Sequence, residues 1–382
     1  MLGAEVTLMP LRNPRIQPLW FFAQTFVIGL DLYIVSPLLP QIMRHYHIGA
    51  SHASLLVTVF ALTYAIASPF WGYYADSHPR QWTALWALTI FIVGDVLTAL
   101  GPPYVLVLAS RVLAAVGAAG FTPTLYAYIA DHVPYRSRAK SMGVASAGFS
   151  SATFLGIPTG LIVANALGWT AAFWLIFVLA LCSLVITREL WIRSPIPQPT
   201  TPPSWTLPRP LWGNVLMTGL AFGSFGTVYT YLPLYLVQTW HITRLSLTIF
   251  MMVFGLAGLI GTLSSGRLGD RFGNLLVIRW GMSAEIATLV MLLFTSNVAT
   301  LWTALLAYSF VSSYTPSLKA LISHKGAKGL ALAWNNSAMY LGLSVGSALG
   351  GWLWHWHMSA VYGGAIILLA GGWLSATSKV WA

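Results

Sequence analysis

Long apolar runs recur from one end of this chain to the other, and short polar turns separate them. Crossing the roughly 30 Å hydrocarbon layer of a membrane takes about 20 mostly apolar residues in a helix. The runs predict twelve such helices, near residues 19–42, 52–75, 82–100, 104–130, 139–164, 170–189, 211–237, 244–266, 275–295, 299–319, 329–350 and 359–377. One segment breaks the rhythm. Between residues 190 and 210, Pro195, Pro197, Pro199, Pro202, Pro203, Pro208 and Pro210 forbid a continuous helix. The spans are thereby divided six and six: an N-terminal bundle over 1–189, a linker over 190–210 and a C-terminal bundle over 211–382.

The two halves repeat each other. Leu39-Pro40 followed by Tyr46-His47-Ile48 reappears as Leu232-Pro233 followed by Trp240-His241-Ile242. The turn around Gly72 and Asp76 returns as Gly266 and Asp270, and Gly156 has its counterpart in Gly350. Parallel six-helix repeats joined by a linker are a transporter architecture, with the solute site between the halves near the membrane midplane. The expected fold is therefore an all-α membrane protein of twelve transmembrane helices in two pseudo-symmetric bundles.

Composition agrees. Hydrophobic residues fill 57% of the 382 positions and charged residues only 7%, with a mean hydropathy of +0.74. A soluble domain carries roughly a quarter charged residues, so most of this exterior must face lipid, and no length remains for a soluble catalytic domain. The net charge of +11 does not mark a nucleic-acid partner, because its distribution sets topology instead. With the N-terminus inside, only Arg44 and Arg244 fall outside and Arg111 falls within a span. Every other Lys and Arg sits at an inner end or loop. That asymmetry is the positive-inside pattern and places both termini in the cytoplasm. Arg12 and Arg15 precede a long apolar run without a small-residue cleavage site, which predicts a retained first helix. The single cysteine, Cys182, excludes a disulfide framework and reads as a small buried hydrophobe.

Three short motifs carry a resemblance to the major facilitator superfamily. The family's inner-loop motif is G-x-L-A-D-[RK]-x-G-[RK]. Gly266-Arg267-Leu268-Gly269-Asp270-Arg271-Phe272-Gly273-Asn274 is close to it, while the first-half copy keeps Gly72, Ala75, Asp76 and Arg80 and must rebuild its turn around Pro79. The glycines suit close helix approach or positive φ. The resemblance implies charge pairs at this rim that gate the conformational cycle, and Asp131 is placed to pair with Arg80. Arg111 through Gly117, then Pro123, Asp131, Arg136 and Arg138, resembles the family's fourth-helix motif. Gly148, Gly156, Pro158 and Gly160 resemble the fifth-helix antiporter motif, in a G-x-P-x-G form like that of the arabinose and ribonucleoside efflux branch. Small residues with a proline also make a close-packed, bendable interface.

Three of the eight acids, Asp31, Asp95 and Glu285, lie within spans one, three and nine. A carboxylate in hydrocarbon costs several kcal/mol, so such groups are paired, wetted or protonated. Burial disfavours the charged form, and a proton affinity that depends on conformation is what a proton-coupled carrier needs. At about 1.5 Å per helical residue, Arg111 lies within reach in depth of Asp31 and Asp95. The segment from Gly29 to Pro40 resembles the first helix of drug:proton antiporters, where an acid like Asp31 couples to protons. Acids on helices one, three and nine also resemble the tetracycline-efflux branch. Proton coupling is therefore expected of Asp31, Arg111, Asp95 and Glu285, with Asp31 first.

Tyr33, Tyr126, Tyr229, Tyr231, Tyr308, Asn335, Asn336 and Tyr340 are candidate cavity residues, or alternatively interhelical bonds and interfacial aromatics. His45, His47, His52, His241, His355 and His357 lie at the outer side and read as solvated loop residues. No nucleotide-binding loop and no H-E-x-x-H occurs, so neither ATP drive nor a metalloenzyme is expected. The expectation is a monomeric cell-membrane antiporter, not an enzyme. It needs no cofactor beyond the proton gradient, its partners being small-molecule substrate, protons and the lipid bilayer. Its cargo is a small amphipathic or drug-like molecule; the alternative is proton-coupled efflux or uptake of a sugar, a nucleoside or another small polar metabolite.

Overall fold

The computed structural model describes residues 17–191, 209–323 and 328–377. The described residues are helical throughout, without a strand. The first six helices are α1 Gln17–Tyr46, α2 Ala50–Ser77, α3 Arg80–Ala99, α4 Tyr104–His132, α5, and α6 Trp169–Leu190. Helix α5 runs over Tyr135–Ser151, loosens into a π turn at Ala152–Gly156 and resumes over Ile157–Leu167. The second six are α7 Arg209–Gln238, α8 Arg244–Phe272, α9 Asn274–Leu293, α10, α11 Lys328–Trp354 and α12 Met358–Thr377. Helix α10 comes in two pieces, Val298–Val311 and Thr315–Ser323. Ten of these helices are long and apolar enough to cross a membrane by length and composition. The central linker, at residues 192–208, lies outside the described residues, as do Arg12, Arg15, Lys325 and Lys379.

Local chemistry explains the boundaries. Pro79, Pro103 and Pro134 stand at the N-caps of α3, α4 and α5, where a fixed φ and a missing N–H cost nothing. Thr243 and Asn297 cap α8 and α10 by accepting hydrogen bonds from the amides of Ser246 and Thr300. His47 and His241 are the only non-glycine positive-φ positions among the described residues, at 54° and 50°. They occupy equivalent places in the two halves, so the sequence repeat is also a repeat of backbone geometry.

Two spans differ from the continuous helices expected. The fifth contains a π turn just before Pro158, whose ring cannot supply an amide to the ladder. The tenth breaks at residues 312–314, ahead of Pro316. Cys182, expected to be buried, is exposed on the outer surface of α6. A thiol behaves as a small hydrophobe, so a lipid-facing site suits it as well as a core site.

We call the end of the bundle that begins α1 the base and the opposite end the top. Within the first six helices α1 packs on α5 and α3 on α4; within the second six α7 packs on α11 and α8 on α10. Among the described residues the main contacts between the sets are α2 with α11, α5 with α8, and α1 with α7. Glycines permit these approaches. A Cβ at Gly148 would strike Phe22 and Thr25 of α1, and one at Gly156 or Gly160 would meet Leu30, Phe26 or Ile34. A Cβ at Gly117 would strike the α3 backbone at Ala87 and Phe91. At Gly255 it would lie 2.5 Å from the carbonyl carbon of Thr153 and 2.6 Å from the amide of Phe154, across the α5–α8 seam. Gly72 and Gly266 do neither thing expected of them. Both are helical with nothing within 4 Å of a built Cβ, whereas Gly273 takes φ +91° and makes the turn into α9.

Among the described residues, the hydrogen bonds that join the two sets lie in the top half. Tyr231 donates to Ser54 at 2.5 Å, Ser51 to the Gly351 carbonyl at 2.8 Å, and Ser344 to the Thr58 carbonyl at 2.9 Å. Tyr64 and Tyr340 stack beneath them with ring centroids 3.6 Å apart. The top is thus sealed. Because α8 meets α5 through bare backbone, Gly255→Val is expected to open that seal. In a protein whose Cys182 is replaced by Ser and whose Leu247 is replaced by Cys, an impermeant maleimide should react several-fold faster after the Gly255→Val change. Leu247 is only 5% exposed in the seam at the top. An unchanged labelling rate would show that this contact does not hold the top shut.

Candidate functional site

A cavity of about 330 Å³ lies between α1 and α5 on one side and α7, α8, α9 and α10 on the other. It extends from Tyr33 and Tyr229 toward the base, as far as Pro316 and Lys319. Its upper wall is aromatic. Tyr33 and Tyr229 meet edge to face at 5.7 Å, Phe225 stacks on Tyr229 at 5.0 Å, and Phe149, Phe222 and Phe254 complete the lining. The Tyr229 hydroxyl donates to the Tyr33 carbonyl at 3.3 Å, closing the roof between α1 and α7. Toward the base the wall turns polar, with Ser146, Ser150, Ser309, Ser312 and Ser313. One carboxyl and one amine line it, Glu285 from α9 and Lys319 from the second piece of α10. Such a volume is at the small end for a drug-sized ligand, and an apolar wall with few convergent polar groups is the usual form of a small-molecule site.

Glu285 is 1% exposed. Tyr314 donates to its Oε2 at 2.9 Å, while its Oε1 has no hydrogen-bond partner. The break in α10 places Tyr314 at the joint between the two pieces, so the kink itself delivers the phenol to the acid.

The other two intramembrane acids are not among the residues that line the cavity. Asp31 of α1, Asp95 of α3 and Arg111 of α4 are all fully buried. Arg111 Nη1 is 2.5 Å from Asp31 Oδ1 and 3.7 Å from Asp95 Oδ1, and its Nη2 donates to the Asp31 carbonyl at 3.3 Å. The guanidinium lies over the Phe60 ring at 4.4 Å, a cation–π contact that partly replaces lost water. Asp31 Oδ2 and both Asp95 oxygens lack hydrogen-bond partners. Gly94 makes the cluster possible: its bare Cα lies against the Ala114 backbone and lets α3 and α4 close around the charges. Asp31 does not reach the cavity. Tyr33, two residues along α1, does.

At the base, Arg80 donates from Nε to Asp131 Oδ2 at 3.0 Å and from Nη1 to the Ala75 carbonyl at 2.5 Å, tying α3 to α4 and to the last turn of α2. The side chains of Asp76, Arg136 and Arg138 lie outside the described residues. Asp270 is exposed, and Arg271 lies over Phe272 at 5.2 Å.

Several expected cavity residues lie off the wall. Tyr231 is spent on the top seal and Tyr340 on Tyr64, while Asn335 accepts a 2.6 Å hydrogen bond from Thr218. Tyr126, Asn336 and the buried Tyr308 also stand outside the lining. Sequence reasoning missed Phe149, Phe225, Phe254, Tyr314 and Lys319. It also missed Gln81, whose amide donates to the carbonyls of Thr187, Arg188 and Trp191 and caps α6. No group of His, Cys, Asp and Glu among the described residues is arranged to hold a metal.

Comparison with known proteins agrees with this architecture. The profile of the Major Facilitator Superfamily matches residues 21–325 and 215–379. The uncharacterized MFS-type transporter YceJ of Bacillus subtilis is 30% identical over 369 residues, 91% of this chain and 92% of that protein. Multidrug resistance protein 2 of the same organism is 32% identical over 140 residues, 37% of this chain and 35% of its own. Among solved structures, the human organic anion transporter MFSD10 (TETRAN) superposes with a TM-score of 0.76 at 16% identity, covering 96% of this chain and 100% of that one. The sealed top, the cavity between two sets of six helices and these matches lead to one assignment: the chain belongs to the major facilitator superfamily and is a multi-pass membrane transporter, not an enzyme.

Proposed function

We propose that the chain is a proton-coupled antiporter that exports a small amphipathic, drug-like molecule across the cell membrane by alternating access. The observation that carries this reading is the fully buried Asp31–Asp95–Arg111 cluster, tied to α1 two residues from the cavity-lining Tyr33. Two carboxylates against one guanidinium leave a net charge of −1 where hydrocarbon and aromatic rings exclude water. One proton makes the cluster neutral. Buried charge that is not balanced costs several kcal/mol, so the loaded and empty clusters favour different arrangements of α1 against α3 and α4. Tyr33 on α1 carries that difference to the cavity roof, where Tyr229 holds the second set of helices.

In this reading residues 1–189 and 211–382 rock as two units, with both termini in the cytoplasm, so the described state opens inward. A single chain is the transporting unit in this reading, with described residues from both sets of helices lining the cavity. The row of hydroxyls toward the base favours a second cargo class, a sugar or nucleoside, which a transport panel separates from the first.

The test is reconstitution in proteoliposomes with an imposed pH gradient. Acid on the top side is expected to expel an amphipathic probe from the base side, and proton uptake is expected only when the probe is present. Probe movement indifferent to the gradient would end the proton-coupled reading and leave a facilitator.

A further inference from the structure

The cavity holds one acid and one base that the protein does not join. Among the described residues no ion pair links Glu285 to Lys319, and Lys319 makes no hydrogen bond or ion pair of its own. Glu285 spends one carboxylate oxygen on Tyr314 and leaves the other without a partner. An acid and a base on one lining, each short of a partner, offer two complementary poles that a ligand bearing both signs would hold in their charged forms. Between the poles and the roof the wall is aromatic, from Phe225 and Tyr229.

We infer that the preferred cargo is an aromatic zwitterion, a molecule whose ammonium meets Glu285 and whose carboxylate or other anionic group meets Lys319. This deepens the proposed function and rests on its reading of the cavity as the cargo site. A cation alone would leave Lys319 without a counter-charge, and an anion alone would do the same to Glu285. An unpaired charge held away from water is penalised, so a ligand carrying both signs gains over one carrying either. The Tyr314 hydrogen bond fixes the Glu285 carboxylate and makes the acid pole a positioned acceptor. Lys319, on a flexible stem in the short second piece of α10, adjusts to the length of the ligand. The Asp31 cluster takes no part in this recognition, because it does not line the cavity. Cargo charge and coupling proton are thus read by different carboxylates.

The test uses purified full-length protein and three related probes: a biphenyl with an aminomethyl group at one end and a carboxylate at the other, its methyl ester, and its N-acetyl derivative. The zwitterion is expected to bind about tenfold more tightly than either singly charged analogue, the difference one charge-assisted contact makes. Glu285→Gln, which can still accept from Tyr314, should erase the advantage over the N-acetyl compound and keep the advantage over the ester. Lys319→Met should do the reverse. Equal binding of all three probes to the unaltered protein, or an advantage that neither substitution changes, would overturn the inference. Binding of none of them would overturn it too. Gly258→Trp fills the cavity and should abolish binding of every probe; binding of all three that survives it would place the site elsewhere and remove the cavity reading as well.

Discussion

Asp31→Asn is expected to abolish gradient-driven efflux while exchange of internal for external substrate continues. Asparagine keeps the volume of aspartate and can still accept from Arg111, so α1 and α4 stay together. What changes is the charge. The guanidinium then faces one carboxylate, Asp95, at 3.7 Å, and the cluster is balanced without a proton. A site that is neutral when empty has no reason to load, and the arrangement of α1 no longer depends on the pH of either compartment. The cavity is untouched, because Asp31 is fully buried and lies off its wall. In proteoliposomes, counterflow should proceed near the original rate, while accumulation driven by a pH gradient should fall to the level of empty vesicles. Probe binding should be unchanged. Full gradient-driven activity in this variant would remove Asp31 from the mechanism, and loss of binding as well would show that α1 had repacked.

Most of the fold was legible because membrane helices announce themselves by length and apolarity, and the sequence carries twelve runs of that kind. The seams were legible where they used glycine, as at Gly148, Gly156 and Gly160. Depth was legible too. Arg111 was placed level with Asp31 and Asp95 by counting residues, and the three converge in the structure. What counting cannot supply is the direction a side chain faces around its helix. In a soluble protein a polar face marks the outside of each helix, but here both lipid and core are apolar, so that signal disappears. Counting therefore groups Asp31 and Glu285 as intramembrane acids of one kind, although Glu285 lines the cavity and Asp31 does not. Tyr314 and Lys319 were out of reach for a second reason. They owe their positions to a break in α10 that apolarity alone does not mark.

Arg111→Met is expected to be among the most destabilising single substitutions in the chain. Methionine fills much of the space and keeps the contact with Phe60, so the change isolates the charge. Removing it leaves two fully buried carboxylates facing each other with no cation among the described groups around them. Deleting one partner of a buried ion pair costs roughly 3–5 kcal/mol because the survivor stays uncompensated. Against a typical total of about 5–15 kcal/mol, that is enough to lose much of the folded protein. If charge is the cause, taking away the stranded carboxylates must repair the damage. The triple change Arg111→Met, Asp31→Asn, Asp95→Asn is expected to recover most of the lost thermal stability in detergent, although it cannot couple to protons. Groups in one cluster are non-additive, and the size of that recovery measures their interaction. A stable Arg111→Met protein, or a triple variant no better than the single one, would mean that the cluster is held by packing and that its three charges are incidental.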